Sequence, residues 1–285
     1  MILRYDVLPN EEGEKISNIL KSKLNISSRL LTKLKMNEKI LVDDKPVFSS
    51  YLVHSGDSIE VKIDFEEEDA IIPEKMNLDI LYEDEYLLAV NKPSGMVVHP
   101  SPYHPNQTLA NGVKFHLNNK KKIRPINRLD KDTSGIVIFA KNEYVQETLI
   151  KQMNNKTFKK EYLAVVCGKL SLKKGTINKP IARKENSIIE RCISNNGKQA
   201  ITQFEVLKEY DTFSLIKCVL ETGRTHQIRV HLASINHPLL GDDLYGSKSD
   251  LIDGQALACY KLSFYHPISK NYVSFKLNDC PFEFL

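Results

Sequence analysis

The chain has 285 residues, of which 41% are hydrophobic and 27% charged, a composition typical of globular proteins. It has no apolar run of membrane-spanning length and no secretory signal at its start, so we expect a cytoplasmic protein that does not enter the membrane. The five cysteines are scattered and none forms a CxxC pair, so the sequence suggests neither a disulfide framework nor a cysteine zinc site.

The net charge of +4 is unevenly distributed. Residues 1–63 carry +1, residues 64–76 carry −5 and residues 77–285 carry +8. Between positions 15 and 39, seven basic residues accompany a single acid, Glu38. Two basic blocks on either side of an acidic spacer suit a polyanionic partner, although charge alone does not distinguish this from an ordinary solvated surface.

Residues 1–63 are predicted to hold a small α/β module. Apolar residues at helical spacing predict one helix over residues 15–24 and a second from Ser27 or Ser28, either of which can cap it, to Leu34. Strands are predicted at residues 40–42 and 59–63, with a turn at residues 43–44. Residues 64–76 are acidic and contain Pro73, which predicts a linker and not a packed element.

Residues 77–285 are dominated by strand patterns. The predicted elements are a hairpin at 78–81 and 86–90, strands at 136–140, 162–166, 200–207 and 213–220, and helices at 108–117, 143–153 and 226–235. Hairpins with interspersed helices predict an α+β domain with a mainly antiparallel or mixed sheet.

A polar loop, NRLDKDTSG at residues 127–135, leads directly into an apolar strand. Such a loop can hold Asp130 on a rigid base and still leave it accessible, as a catalytic carboxylate requires. The alternative is that Asp130 or Asp132 only caps the turn through its side chain, and for an arbitrary RLD tripeptide that is the commoner outcome.

A second polar segment, TGRTHQIRVH at residues 222–231, places Arg224, His226, Arg229 and His231 at the start of a predicted helix. Helix starts favour anions, and Arg229 can pair with a carboxylate or a phosphate. The two histidines are five residues apart with no carboxylate between them, so the segment is not a zinc motif. A lone histidine such as His226 is more often a structural hydrogen-bonding group.

Four motifs together resemble the RluA family of pseudouridine synthases. They are NKPSGMVVHP (91–100), RLDKDTSG (128–135), KEYLAV (160–165) and GRTHQIRVH with HPLLGDDLYG (223–246), and they occur in the family's order across most of residues 77–285. The N-terminal block is similar to the S4 RNA-binding module that often precedes these enzymes, except that Asp43-Asp44 stands where that module usually has Asn-Gly.

The resemblance implies that Asp130 is the catalytic carboxylate, that Arg229 pairs with it, and that Tyr162 packs on the target base. Arg128 would hold the RNA open once the base has left its stack. The family usually has His where this chain has Asn127, which leaves open whether that position packs locally or contacts RNA. On the residues alone, Tyr162 could equally be a core residue of its strand.

The same resemblance implies that no cofactor and no metal is needed, and that the substrate is structured RNA. Large-subunit ribosomal RNA is the expected substrate, transfer RNA is the alternative, and a monomer is the default. RNA-binding residues are expected in the site and in the N-terminal block: Asn127, Arg128, Arg224, His226, Lys21, Lys23, Arg29 and Lys33.

Two other function classes compete with this interpretation. A catalytically silent RNA-binding or ribosome-assembly protein could keep the same fold, but it would not need Asp130, Tyr162 and Arg229 together. A hydrolase could use Asp130 and Asp132 as paired carboxylates, which requires about 5 to 9.5 Å between them and a water site. Free uracil release measured against pseudouridine formation separates these possibilities.

Overall fold

The computed structural model describes residues 1–65, 67, 69–118 and 121–283. Its strands are β1 (Ile2–Asp6), β2 (Ile40–Val42), β3 (Lys45–Pro46), β4 (Ser58–Lys62), β5 (Asp79–Glu83), β6 (Leu87–Lys92), β7 (Arg124–Pro125), β8 (Ser134–Ala140), β9 (Lys159–Cys167), β10 (Lys174–Asn178), β11 (Ile181–Arg183), β12 (Arg191–Ile193), β13 (Ile201–Glu209), β14 (Phe213–Leu220), β15 (Leu257–Tyr265) and β16 (Tyr272–Lys276). Its α-helices are α1 (Ile16–Ser22), α2 (Ser28–Met36), α3 (Leu109–His116), α4 (Glu143–Asn154) and α5 (Gln227–Ala233).

The first 63 residues form a four-stranded sheet in the order β1-β4-β2-β3, with α1 and α2 packed beside it. Ser27 is the cap of α2, because its hydroxyl accepts the amide N–H of Leu30 at 3.0 Å. Asp43 and Asp44 both have positive φ angles, 47° and 63°, and join β2 to β3 by a two-residue turn of the kind that Asn-Gly favours. The predicted helices and strands of this module are therefore confirmed, whereas β1 was not predicted.

The acidic segment 64–76 was predicted to be unpacked, and this was wrong for its described residues. Asp69 forms an ion pair with Lys114 of α3 at 2.9 Å and accepts the amide N–H of Ile123 at 2.7 Å. Ile71 is buried, and the Asn111 side chain donates to the carbonyl of Ile72 at 2.8 Å. Residues 69–72 therefore pack along α3 and are held there by hydrogen bonds and an ion pair.

The remaining residues build a ten-stranded sheet with a central order of β10-β13-β14-β9-β15-β8-β6-β5. β16 pairs with β15, and β7 pairs with β8. Neighbouring strands are antiparallel except for β15 and β8, which are parallel. The predicted α+β class with a mainly antiparallel or mixed sheet is confirmed. Six of the strands in residues 77–285 were not predicted, namely β7, β10, β11, β12, β15 and β16, and α5 is shorter than the predicted helix.

The contact between β8 and β15 is unusually close at Gly135. This glycine has φ +108°, and a Cβ atom there would lie 2.3 Å from the carbonyl oxygen of Cys259. A residue with a side chain could not occupy the position without moving β15, so Gly135 fixes the start of β8 against its neighbour. The loop that carries Asp130 ends at this point.

The N-terminal module contacts the rest of the chain through α4. Lys33 of α2 forms ion pairs with Glu67 at 3.0 Å and Glu143 at 3.1 Å, and its ammonium lies 4.0 Å from the ring centroid of Phe65. Lys151 of α4 donates to the side chain of Asn25 at 3.0 Å. Within the described ranges, no helix combines the length and apolar character needed to cross a bilayer.

Candidate active site

Asp130 lies in the turn between β7 and β8, on a loop whose neighbours are fixed. The amide N–H of Thr133 donates to the carbonyl of Asp130 at 3.2 Å, and the buried Thr133 hydroxyl accepts from Gln255 at 3.0 Å. Leu129 is buried beneath the loop. The Asp130 side chain is 29% exposed and faces an open cleft. The backbone is therefore held while the carboxylate remains accessible.

Lys92, the last residue of β6, supports this loop from below and was not singled out from the sequence. It is fully buried, and its ammonium donates to the carbonyls of Pro93, Met96 and Lys131 at 2.6 to 2.8 Å. Burial lowers the pKa of Lys92 to about 8, against the opposing charges of Asp132 and Asp130. The carbonyl of Lys131, the residue after Asp130, is thus hydrogen-bonded to Lys92 of the 91–100 segment.

Arg229 makes its short hydrogen bonds with Asp242. The Nε and Nη2 atoms of Arg229 donate to the two carboxylate oxygens of Asp242, both at 2.8 Å, and Asp242 is fully buried. The Nη1 atom lies 3.5 Å from Oδ2 of Asp130. Burial alone would lower the pKa of Arg229, but Asp242 and then Asp130 raise it. The expected approach of Arg229 to Asp130 is present, but its principal partner was missed.

His226 links Asp130 to a second tyrosine. Its backbone is left-handed, with φ 56°, which turns its ring toward the cleft just before α5. Nδ1 lies 2.8 Å from the hydroxyl of Tyr245, and Nε2 lies 3.9 Å from Oδ2 of Asp130. Burial lowers the pKa of His226, and the nearby Arg229 and Arg191 guanidiniums lower it further, against the effect of Asp130.

Tyr162 is buried in β9 and also lines the cleft. Burial raises its pKa well above the ordinary value, with further contributions from Cys259 and from Asp130. A phenol in this position stays protonated and can present its ring to a planar ligand. The sequence left open whether Tyr162 is a core residue of its strand or a residue of the site. The side chain is buried and also lines the cleft.

The cations Arg128 and Arg224 are exposed and line the same cleft. The Nε of Arg224 donates to the carbonyl of Gln199 at 3.0 Å, and its amide N–H donates to Gln227. With Arg229 behind them, they make the cleft strongly basic around one carboxylate. Asp132 packs against Gly254 and is not among the residues lining the cleft, so the paired-carboxylate arrangement of a hydrolase is not formed there.

The sequence left open whether Asn127 packs locally or contacts RNA, and the structure shows local packing. Its inclusion among the RNA-binding residues is corrected. It is 4% exposed. Its amide donates to the carbonyl of Ile136 at 2.9 Å and accepts the amide N–H of Ile138 at 3.0 Å. Both ends of the side chain are thus used by the β8 backbone, and none is left for RNA.

The four basic residues expected to bind RNA in the N-terminal module divide into two pairs. Lys21 and Arg29 are exposed, and neither forms an ion pair within the part of the chain that the structure describes. Lys23 forms an ion pair with the buried Glu11 at 2.7 Å, and Lys33 holds the contact with α4. Lys23 and Lys33 therefore already have carboxylate partners in the protein, and RNA binding by these two lysines stays a prediction.

A larger cavity lies between the N-terminal module and the sheet. Its buried cations are already paired, Arg124 with Glu67 and Lys141 with Glu83. Across the described residues, no group of three or more His, Cys, Asp or Glu side chains could hold a metal ion. The Asp130 cleft is the better candidate because an accessible carboxylate shares it with Arg128 and Arg224, which form no ion pair among the described residues.

Comparisons with known proteins agree on one family. Residues 86–234 match the family model described as RNA pseudouridylate synthase. The chain is 40% identical over 271 residues to the uncharacterized RNA pseudouridine synthase YhcT of Bacillus subtilis, covering 93% of this chain and 90% of the relative.

It is also 39% identical over 254 residues to the ribosomal large subunit pseudouridine synthase D of Neisseria meningitidis serogroup B, covering 83% of this chain and 68% of that protein. Among solved structures, human RNA pseudouridylate synthase domain containing 1 aligns with a TM-score of 0.61 at 26% identity, over 75% of this chain and 86% of that one.

Proposed function

Since the chain belongs to the RNA pseudouridine synthase family, whose members isomerise uridine in RNA, we propose that it modifies specific uridines of large-subunit ribosomal RNA with Asp130 as the catalytic carboxylate. One observation carries the assignment of Asp130. Its side chain opens onto the cleft that Tyr162, Arg128 and Arg224 also line, with Arg229 3.5 Å away. A carboxylate is an acceptor or nucleophile, and the cations around it attract the RNA backbone.

The reaction requires no co-reactant. The N1–C1′ bond of uridine breaks, the uracil turns, and a C5–C1′ bond forms, while C5 loses a proton and N1 gains one. The product is therefore an isomer of the substrate. Asp130 can contribute by adding to the base or sugar or by removing a proton, and we propose that Arg229 keeps it ionised and oriented in each case.

Tyr162 and Arg128 have distinct roles in this proposal. A uridine stacked in a helix cannot reach Asp130, so it must leave the stack, at a cost of about a few kcal/mol. Tyr162 lines the cleft, and in this proposal its ring packs on the extruded uracil. Arg128 is exposed at the same cleft, where it can occupy the space that the base leaves or hold a phosphate beside it.

We further propose a division of labour between residues 1–63, as an S4-like RNA-binding module, and residues 77–285, as the catalytic domain, with residues 64–76 between them. The exposed charges of Lys21 and Arg29 support RNA contact by the module. The docking of Lys33 on Glu143 supports a fixed orientation of the module, which would present the RNA at a defined angle.

Ribosomal RNA is preferred as the substrate because the Neisseria relative is named for the large ribosomal subunit. The test uses purified protein with total ribosomal and transfer RNA from a strain that lacks the gene, followed by mapping of pseudouridine and measurement of free uracil. Pseudouridine in large-subunit RNA supports the proposal. Modification of transfer RNA alone changes the substrate. If neither RNA is modified, or if free uracil is released, the proposed function is wrong.

A further inference from the structure

A short hairpin stands apart from the main sheet beside the cleft. Strands β11 and β12 pair only with each other as a sheet, with Ile181 opposite Ile193 and Arg183 opposite Arg191. Ile181 is buried against Val230 of α5, and Ile193 and Tyr245 pack on the same cluster. The base of the hairpin is therefore fixed to the helix that carries Arg229.

The hairpin is joined to Asp130 through a short series of side chains. The amide N–H of Arg191 donates to the hydroxyl of Tyr245 at 2.8 Å, and that hydroxyl lies 2.8 Å from Nδ1 of His226. Nε2 of the same imidazole is 3.9 Å from the Asp130 carboxylate. The hairpin thus adjoins the wall of the cleft that faces the Asp130 loop.

The turn of the hairpin exposes two adjacent aliphatic side chains. Ile188 and Ile189 are 77% and 62% exposed. The turn that carries them is internally hydrogen-bonded, because Arg191 donates from Nη1 to the carbonyls of Ile189 at 2.9 Å and Glu190 at 3.0 Å. Lys184 also pairs with Glu190 at 2.8 Å. These contacts lie within the turn and leave both isoleucine side chains accessible to a partner.

The charge around the two isoleucines identifies the kind of partner. From position 179 to position 198 the chain has five basic residues and two acidic ones. Arg183 and Lys198 are exposed and have no ion-pair partner among the residues described by the structure. Basic side chains beside an apolar pair match a polyanion whose bases are accessible, and proteins that deform nucleic acids insert apolar side chains between bases in this way.

We propose that Ile188 and Ile189 contact the bases next to the target uridine and fill part of the space opened when that uridine leaves the stack. The proposal rests on the proposed function and adds a surface to it. The hairpin would act from the α5 side of the cleft, and Arg128 from the loop side. The two isoleucines would then favour the opened RNA over the stacked RNA and lower the cost of extrusion.

The test uses a stem-loop transcript that contains the uridine mapped in ribosomal RNA, with 2-aminopurine as its 3′ neighbour. The double variant Ile188→Ser with Ile189→Ser should lower kcat/KM about tenfold or more, because polar side chains no longer fill the apolar space beside the bases. It should also lose the 2-aminopurine fluorescence rise on binding, while the melting temperature stays unchanged. Ile188→Leu with Ile189→Leu should behave as the wild type.

A matched control is Leu172→Ser with Leu207→Ser, since these leucines are also exposed but lie after β9 and on β13. A kcat/KM within twofold of wild type for the double serine variant, or an equal loss in the control, overturns the proposal. If the wild type forms no pseudouridine in any ribosomal RNA, the proposed function fails, and this inference fails with it. If the wild type is active and the double serine variant of the hairpin is equally active, the inference is wrong and the proposed function stands.

Discussion

Arg229 is bonded through Nε and Nη2 to the two oxygens of Asp242, and this pair is buried behind the cleft. Asp242 also accepts the amide N–H groups of Leu244 and Tyr245 at 3.1 Å. The guanidinium is therefore held by a carboxylate that cannot reach a ligand, and its remaining Nη1 is directed at Asp130. Asp242 thus fixes the position of the Arg229 guanidinium, and Asp130 is the accessible carboxylate next to it.

Replacing Asp242 should affect both stability and activity. In Asp242→Ala the Arg229 cation stays buried without its partner, and breaking a buried pair in this way costs about 3 to 5 kcal/mol of unfolding free energy. Urea unfolding measures the loss, and pseudouridine formation should fall with it. The double variant Arg229→Met with Asp242→Leu removes both charges, so it should recover stability but not activity. Wild-type stability in Asp242→Ala would contradict the arrangement.

Asp130→Asn should abolish turnover without disturbing the fold. The amide is similar in shape but cannot add to the substrate or remove a proton, so the rate should fall by at least about 10²- to 10⁴-fold. Asp132→Asn is the matched control, because Asp132 lies outside the cleft and should retain activity. Circular dichroism and RNA binding should match the wild type in both. Turnover within about tenfold of the wild type in Asp130→Asn would refute its role, and equal losses in Asp130→Asn and Asp132→Asn would revive the paired-carboxylate hydrolase.

The sequence predicts the elements of this fold well where local signals are strong. Ser27 before an amphipathic run marks the start of α2, and the hairpin before Lys92 follows from alternation and an acidic turn. β1 was missed because it is short and none of its residues is buried, so its pairing with β4 carries little local signal.

The active site was only partly predictable because its second layer depends on tertiary contacts. Asp242 lies 13 residues after Arg229 in a turn where an aspartate is unremarkable, and only the packing of that turn on α5 makes it a partner. Asn127 differs from the family pattern, but the sequence could not tell that its amide bonds the β8 backbone. Lys33 and Arg29 are both basic residues of α2, and the sequence could not tell that Glu67 and Glu143 lie next to Lys33.

The basic residues of the N-terminal module should separate by salt dependence. Lys21→Ala with Arg29→Ala removes two exposed charges, so the slope of log K against log salt concentration should decrease by about two if both contact phosphates. Lys33→Ala should leave the slope unchanged and instead reduce stability, since Glu143 and Glu67 lose their common partner. Filter binding over a salt series measures the first effect, and thermal unfolding the second. A slope that changes only in Lys33→Ala would reverse the assignment.

His226 should give the enzyme an acid limb below the ordinary histidine pKa. The Tyr245 hydroxyl accepts from Arg191, which leaves its own proton for Nδ1 of a neutral His226 and puts the imidazole N–H toward Asp130. Protonation adds a cation beside Asp130 and turns Nδ1 into a donor. Because burial lowers the pKa of His226, kcat/KM should fall only as the pH drops below about 6.5. The limb should be missing in His226→Gln, and its persistence there would assign it to another group.

Lys92 should make stability rise with pH in the alkaline range. Its pKa is about 8 in the fold and 10.5 without the protein environment, so between these values the unfolded chain binds more protons than the native one. The unfolding free energy then increases with pH across this window, by about 3 kcal/mol in total.

The comparison with Lys92→Met isolates this effect, because other groups titrate equally in both proteins. The difference in unfolding free energy, wild type minus variant, should grow between pH 8 and pH 10.5 and stay flat below pH 7. The variant should also lose activity at every pH, since the carbonyl of Lys131 beside Asp130 loses its donor. A difference that is constant from pH 7 to pH 10.5 would mean that the buried ammonium of Lys92 keeps its ordinary pKa. The three carbonyls that accept from it would then offset the effect of burial on that pKa.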